Sequence, residues 1–236
     1  PSKCLVSERF LPSGPAQAMH TVPTGLASLP PPGPAMPVTA TATCARLFAI
    51  APCTISRAVA SLTAPKIEPE IVFKLKQPIP PGGDAAAALA CVEWLALGFE
   101  IIDCVYPEWK FQAPDFIAAY GLHAGLVVGA PRMVGNAAGG LDIAGLVEAL
   151  PRFSVKLLRH GEVVAEGSGK NSLRSPAACL AELATAVAAR GDHDSLGAGA
   201  LVSSGTLTDS QPMAAGDTWT ATVDGLDLSP VTLQIA

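Results

Sequence analysis

The stretch "PKIEPEIVFKL" (residues 65–75) places two glutamates, Glu68 and Glu70, in a run that otherwise favours a buried β-strand. Residues two apart on a strand point to the same face of the sheet, so the two carboxylates project together. Burial of an unpaired charge costs several kcal/mol, and two neighbouring carboxylates also repel each other. A divalent cation between them would make the pair tolerable, and oxygen-only ligands favour Mg²⁺, Mn²⁺ or Ca²⁺ over zinc.

A third acid follows thirty residues later in "GFEIIDCVYPEWK" (98–110), where Glu100 and Asp103 again lie in an apolar strand. One more carboxylate would complete a set of three ligands with open positions for a substrate. The alternative is that Glu68 and Glu70 lie on the solvated face of an edge strand. The residues alone leave both interpretations open.

The composition of the chain indicates a globular protein and argues against nucleic-acid-binding and membrane-spanning classes. The chain has 236 residues, 50% of them hydrophobic and 15% charged, which suits one large domain or one domain with an appendage. The net charge of −5 excludes a basic surface, so nucleic acid is not an expected partner. We expect no membrane span, because no uncharged apolar run reaches about 18 residues. The six cysteines lack CxxC spacing and no export signal is evident, which predicts a cytoplasmic protein.

The character of the chain changes near residue 65. No Asp or Glu occurs between Arg9 and Ile67, where Pro, Ala, Ser and Thr are frequent, whereas charges of both signs recur from Glu68 onward. We predict an atypical Pro/Ala-rich N-terminal segment or reduced lobe over residues 1–64, followed by a globular domain over residues 65–236.

Hydrophobic patterning in the second part predicts few helices among many strands. Its long-range strand pairing indicates a mainly β (α+β) fold with flanking helices. The predicted helices are 85–97, capped by Asp84, and 175–191; the predicted strands are 67–75, 99–103, 121–129, 200–208 and 218–236, with a hairpin over 151–169 that turns at His160 and Gly161.

Four segments in this part resemble the fumarylacetoacetate hydrolase superfamily, in the branch of 2-keto-4-pentenoate hydratases and 4-oxalocrotonate decarboxylases. They are "PKIEPEIVFKL", "ALGFEIIDCVYPEWK", "GEVVAEGSG…SP…CLAELATAVAARG" and "LVSSGTLTDSQPMAAGDTWTA". The resemblance implies a rolled antiparallel β core of the C-terminal type with a few flanking helices. It also implies a homo-oligomer and makes residues 65–236 a fumarylacetoacetate hydrolase-like catalytic domain.

The same resemblance implies a metal site that holds Mg²⁺ or Mn²⁺. Glu68 and Glu70 match two of its ligands and Glu100 matches the third; Asp103 is the alternative third ligand, and strand alternation places it on the opposite face from Glu100.

The resemblance also implies roles for other residues, each of which has an alternative structural explanation. Thr206 and Thr208 in "SSGTLT" match a segment that binds the substrate carboxylate, although threonines are common at strand ends. Lys110 stands where the branch often has a basic residue after Trp and is the candidate catalytic residue, or else a solvated loop lysine. His123 is predicted to be a core histidine.

The implied function is a metal-dependent lyase (a hydratase) that acts on a small-molecule 2-hydroxy-2,4-dienoate or 2-keto-4-enoate in aromatic-compound catabolism. The metal would act as a Lewis acid on the keto acid. A decarboxylase or C–C hydrolase of the same superfamily is one alternative. A non-catalytic metal-binding member is another, because residues 1–64 lack the "G-[WY]-K-[IV]-G" stretch whose lysine serves acid–base chemistry in the branch.

Overall fold

The computed structural model describes residues 5–7, 53–55, 61–135, 139–189 and 196–235, which form twelve β-strands and four α-helices. The strands are β1 (Leu5–Ser7), β2 (Cys53–Ile55), β3 (Pro65–Leu75), β4 (Val92–Asp103), β5 (His123–Val128), β6 (Arg132–Met133), β7 (Ser154–Arg159), β8 (Glu162–Ser168), β9 (Leu201–Ser203), β10 (Gln211–Pro212), β11 (Thr218–Asp224) and β12 (Val231–Ile235). The helices are α1 (Ala85–Ala90), α2 (Ala113–Ala118), α3 (Ile143–Ala149) and α4 (Pro176–Ala189).

The strands form two sheets. The larger has the order β1-β5-β4-β3-β10, with β6 also pairing with β4 and β9 with β3. The smaller has the order β2-β12-β11-β7-β8. Every strand pair in the described residues is antiparallel except β2 with β12. The predicted mainly antiparallel β fold with a few helices is therefore confirmed.

The antiparallel pair of β3 and β4 positions the candidate site. Alternation along β3 sends Ile67, Ile71 and Phe73 into the main hydrophobic core, where all three are fully buried. The other face of the same strand carries Val72, which packs in a smaller apolar cluster with β4 and β5 residues. Glu68 and Glu70 share that second face, so the acids lie on the side of the sheet away from the main core.

The predicted helix over residues 85–97 is wrong beyond its first half. Asp84 caps α1 as expected, because its carboxylate accepts a hydrogen bond from the Ala87 amide at 2.8 Å. The helix ends at Ala90, however, and Val92 begins β4. Pairing with the whole length of β3 outweighs the helix propensity of this Ala/Leu-rich stretch. The strand predicted at 99–103 is the second half of β4.

The other predictions hold in part. The hairpin is confirmed as β7 and β8, with positive φ angles of 50° at His160 and 86° at Gly161 in the turn. Helix α4 lies within the predicted 175–191. The strand predicted over 200–208 ends at Ser203, and 218–236 divides into β11 and β12.

Among the described helices, none has the length and apolar character needed to cross a membrane. Strand β3 begins at Pro65, and most of residues 1–64 lies outside the described part of the chain. The domain boundary at residue 64 stays a prediction.

Candidate metal centre

Three glutamates meet on one face of the β3–β4 pair. The register places Glu68 of β3 directly opposite Glu100 of β4, and alternation places Glu70 one pleat further along β3. One carboxylate oxygen from each residue lies within 4.8 Å of the other two. The structure thus brings together the three acids that the sequence predicted as metal ligands.

Burial makes this cluster costly without a counter-charge. Glu70 is fully buried; its Oε2 accepts a hydrogen bond from the Gly205 amide at 2.8 Å, while Oε1 has no hydrogen-bond partner within the described structure. Desolvation, followed by the charge of Glu100, raises the pKa of Glu70 well above its ordinary value. Desolvation and the same neighbour raise the pKa of Glu68 to about 7, opposed by Lys66.

The orphaned oxygen and the mutual repulsion are both relieved by a cation among the three carboxylates. A donor set made only of oxygens suits a hard divalent ion such as Mg²⁺ or Ca²⁺. The residues present therefore fit a metal of this class.

Glu100 and Asp103 lie on the same strand and have different environments. Glu100 Oε1 lies 2.5 Å from Nδ1 of His123. The carboxylate of Asp103 instead accepts hydrogen bonds from the backbone amides of Thr63 at 3.0 Å and Ala64 at 2.7 Å. Asp103 is thus engaged in holding the chain that enters β3, and it is not a member of the glutamate cluster.

A loop after β9, residues 204–209, packs against β3 next to Glu70. The Ser204 amide donates to the Ile71 carbonyl at 3.0 Å, and the Leu207 amide donates to the Pro69 carbonyl at 2.9 Å. These two bonds hold the loop against β3 on both sides of Glu70. They bring the Gly205 amide, 135 residues away in sequence, to the Glu70 carboxylate.

The predicted substrate-binding threonines lie in this loop. The hydroxyl of Thr206 donates to the Thr208 carbonyl at 2.8 Å, and that of Thr208 donates to the Asp209 carbonyl at 3.1 Å. Both line a cavity of about 400 Å³ together with Glu166, Asn171 and Asp209. The threonines border a space that a small molecule could enter, although acids share its wall.

Lys110 lies apart from these groups. It follows a single 3-10 turn (Pro107–Trp109), is 79% exposed, and its ammonium group pairs with Glu108. The structure does not bring it to the three glutamates, and its role in proton transfer stays a prediction.

Sequence reasoning missed two groups at the centre. His123 is partly exposed and contacts Glu100, whereas a core position was expected; only the pairing of β5 beside β4 could have revealed this. Gly205 donates through its backbone, so no side-chain pattern points to it. The glycine within "SSGTLT" was the available signal, because its φ of 89° lies in the region that favours glycine.

The chain is similar to proteins of known family. Residues 27–231 match the family described as fumarylacetoacetate (FAA) hydrolase C-terminal. A 4-oxalocrotonate decarboxylase of Pseudomonas sp. (strain CF600) is 33% identical over 70% of this chain and 58% of its own length. A 2-hydroxyhexa-2,4-dienoate hydratase of Comamonas testosteroni is 30% identical over 73% of this chain and 61% of its own.

Solved structures show the same likeness. The 4-oxalocrotonate decarboxylase from Pseudomonas putida G7, complexed with magnesium and adipate, superposes with a TM-score of 0.64 at 30% identity, covering 75% of this chain and 62% of that one. Its complex with calcium and acetate gives a TM-score of 0.62 at 28% identity over the same shares. The chain spans about three fifths of the length of these relatives.

Proposed function

The chain belongs to the fumarylacetoacetate hydrolase family, and from that premise we propose that it is a metal-dependent lyase. Its reaction would hydrate a 2-hydroxy-2,4-dienoate or the related 2-keto-4-enoate, within the breakdown of aromatic compounds. The observation that carries the proposal is the cluster of Glu68, Glu70 and Glu100 with one buried carboxylate oxygen left without a partner. The hydratase and decarboxylases among its relatives support the class of substrate.

In this proposal the three glutamates hold Mg²⁺ or Mn²⁺. When bound, the ion supplies Lewis-acid stabilisation of the negative charge that develops on the oxygens of a 2-keto acid. The solved relative with magnesium supports the choice of ion. The pairing of β3 with β4 keeps the three carboxylates together, and the Gly205 amide orients Glu70.

The substrate carboxylate is assigned to the threonine loop. Thr206 and Thr208 now donate their hydroxyl protons to carbonyls within the same loop. Either hydroxyl can rotate and donate instead to a bound carboxylate, because a hydroxyl proton turns freely about its bond. Lys110, on an exposed loop, is the proposed acid–base group, and the sequence pattern alone supports it.

A related decarboxylation is the second candidate. The relative with 33% identity is a 4-oxalocrotonate decarboxylase, as is the protein whose structure resembles this chain at a TM-score of 0.64. The same metal site would serve both reactions, because each develops enolate-like charge on a 2-keto acid.

We also propose that the chain forms a homo-oligomer. A group of apolar side chains on and after α2 is exposed, with exposed fractions of 42% for Phe116, 73% for Ile117 and 66% for Tyr120. Contact between subunits would remove such a surface from water. Light scattering on the purified protein would measure the number of subunits.

The test follows the ultraviolet absorbance of freshly generated 2-hydroxypenta-2,4-dienoate with Mg²⁺ or Mn²⁺, and then with EDTA. We expect loss of the dienol signal that needs the metal and is abolished in Glu70→Gln. Glu93→Gln is the matched control, because Glu93 lies on β4, the strand that carries Glu100, and pairs with Lys74 at 3.0 Å outside the glutamate cluster. Release of CO₂ from 4-oxalocrotonate without dienol loss would establish the decarboxylase instead. Metal binding without either reaction would leave a non-catalytic member.

Lys110→Met tests the acid–base assignment separately. We expect turnover to fall at least about tenfold if the lysine transfers a proton. Metal affinity and stability should stay unchanged, because Lys110 is exposed and its ion-pair partner within the described residues is Glu108, which is also exposed. Unchanged turnover would remove Lys110 from the mechanism without affecting the metal site.

A further inference from the structure

The peptide group between Ser204 and Gly205 carries a hydrogen bond at each end. Its carbonyl oxygen accepts from the hydroxyl of Ser172, and its N–H donates to Glu70 Oε2 at 2.8 Å. Ser172 and Ser204 are each only 3% exposed and Glu70 is fully buried, so water does not compete along this route. The three groups form one continuous chain of hydrogen bonds that ends on the carboxylate.

We infer that Ser172 is a positioning residue that fixes the carboxylate of Glu70 through this peptide group; its consequence for metal binding rests on the proposed function. A hydroxyl that donates to an amide oxygen polarises the whole amide and makes its N–H a stronger donor. The bond also fixes the plane of the peptide, so the N–H continues to point at Glu70.

The rest of the loop does not fix that plane. Backbone bonds to the carbonyls of Ile71 and Pro69 hold Ser204 and Leu207 against β3, but both involve other peptide groups. Gly205 has a φ of 89° and no side chain, so rotation of the peptide before it meets little steric resistance. Ser172 supplies the restraint on the carbonyl side.

Ser172 is itself well held. Its amide donates to the Gly169 carbonyl at 3.2 Å at the end of a 3-10 turn, and the neighbouring Asn171 side chain donates to the Leu207 carbonyl at 2.9 Å. The turn between β8 and α4 thus contacts the loop through two side chains, those of Asn171 and Ser172.

The consequence concerns the second oxygen of Glu70. With Oε2 held by Gly205, Oε1 is the oxygen that has no partner and is available to a cation. Without the Ser172 bond the carboxylate can rotate, and metal binding must then fix it at an added entropic cost. Loss of such a supporting hydrogen bond commonly weakens metal affinity by about tenfold to a hundredfold.

The test compares Ser172→Ala with Ser204→Ala and Ser172→Thr in the full chain. Ser204 is an equally buried serine of the same peptide, but its hydroxyl is outside the route to Glu70. Calorimetry with Mg²⁺ and the amide proton shift of Gly205 in EDTA are the two readouts. We expect Ser172→Ala to bind Mg²⁺ about tenfold more weakly and to move the Gly205 proton upfield. Ser204→Ala should do neither, and Ser172→Thr should restore both.

The inference is overturned if folded Ser172→Ala keeps the wild-type Gly205 shift, or if Ser204→Ala changes it equally. Thermal unfolding in EDTA separates either result from a general loss of structure. If the wild-type chain takes up no Mg²⁺, the proposed function fails; the Gly205 shift then still decides whether Ser172 orients the peptide.

Discussion

Two regions meet at Glu70, and they are built in different ways. The β3–β4 pair holds Glu68 and Glu100 opposite each other through a regular ladder of backbone hydrogen bonds. The loop of residues 204–209 leaves the sheet after β9 and is attached to β3 around Glu70 by two backbone bonds. The candidate ligands therefore stand on paired strands, whereas the candidate substrate-binding groups stand on a loop that is held by contacts with residues distant in sequence.

The largest expected effect comes from forcing the loop away from the sheet. A Cβ at Gly167 of β8 would lie 1.8 Å from the Leu207 carbonyl oxygen, so Gly167→Ala must displace the loop or β8. We expect the free energy of unfolding, measured with urea, to fall by about 3 kcal/mol. Gly125→Ala in β5 is the control, because its Cβ would meet nothing within 4 Å. Equal stability of the two variants would mean that the loop yields easily.

A smaller effect is expected on the pH dependence of stability, which reports on Glu68 of β3. The folded-state pKa of Glu68 is raised from 4.5 to about 7, so the folded chain holds a proton that the unfolded chain releases in this interval. Stability without metal is therefore highest below about pH 4.5 and falls as the pH rises through 7. Allowing for solvent screening, we expect Glu68 to contribute a loss of about 2 kcal/mol between pH 5 and pH 8 in EDTA.

Glu68→Gln should remove the part of the pH-dependent loss that Glu68 contributes, while the part from Glu70, whose pKa is also raised, persists. Saturating Mg²⁺ should reverse the loss in the wild-type chain at pH 8. Thermal unfolding across the pH range measures both. A wild-type profile that is flat in EDTA would contradict the raised pKa and weaken the case for a shared cation.

The smallest expected effect on stability comes from Asp103→Ala, which can be compared with Glu100→Gln on the same strand, β4. Asp103→Ala removes the acceptor for the amides of Thr63 and Ala64 and should lower the free energy of unfolding by about 1 kcal/mol. Its Mg²⁺ affinity should equal that of the wild-type chain, whereas Glu100→Gln should bind Mg²⁺ weakly or not at all. Calorimetry on both variants decides between them; weakened binding in Asp103→Ala would return it to the ligand set.

The same contrast explains what could be predicted from the sequence. Strand alternation placed Glu68 and Glu70 on one face and separated Glu100 from Asp103, because side-chain direction in a strand depends only on local geometry. The helix predicted through Leu97 failed because pairing with β3 decides the state of that stretch. The contacts of the Gly205 amide and His123 with the glutamates were missed, since each arises through tertiary pairing; the glycine in "SSGTLT" signals a turn but not its partner.

Pro69, between the two glutamates of β3, has a further consequence. Pro69 has no N–H, and its carbonyl accepts a hydrogen bond from the Leu207 amide of the loop. The edge of β3 that faces the loop therefore cannot form a continuous ladder of hydrogen bonds at Pro69. Strand β9 pairs with residues 72–74 and β10 with residues 66–67, and the chain between them forms the loop of residues 204–209. Backbone hydrogen bonds anchor that loop to β3. Under the proposed function, a change of the side chain at Thr206 would therefore alter substrate preference while the glutamates keep their geometry, so that metal binding and specificity would evolve by separate substitutions.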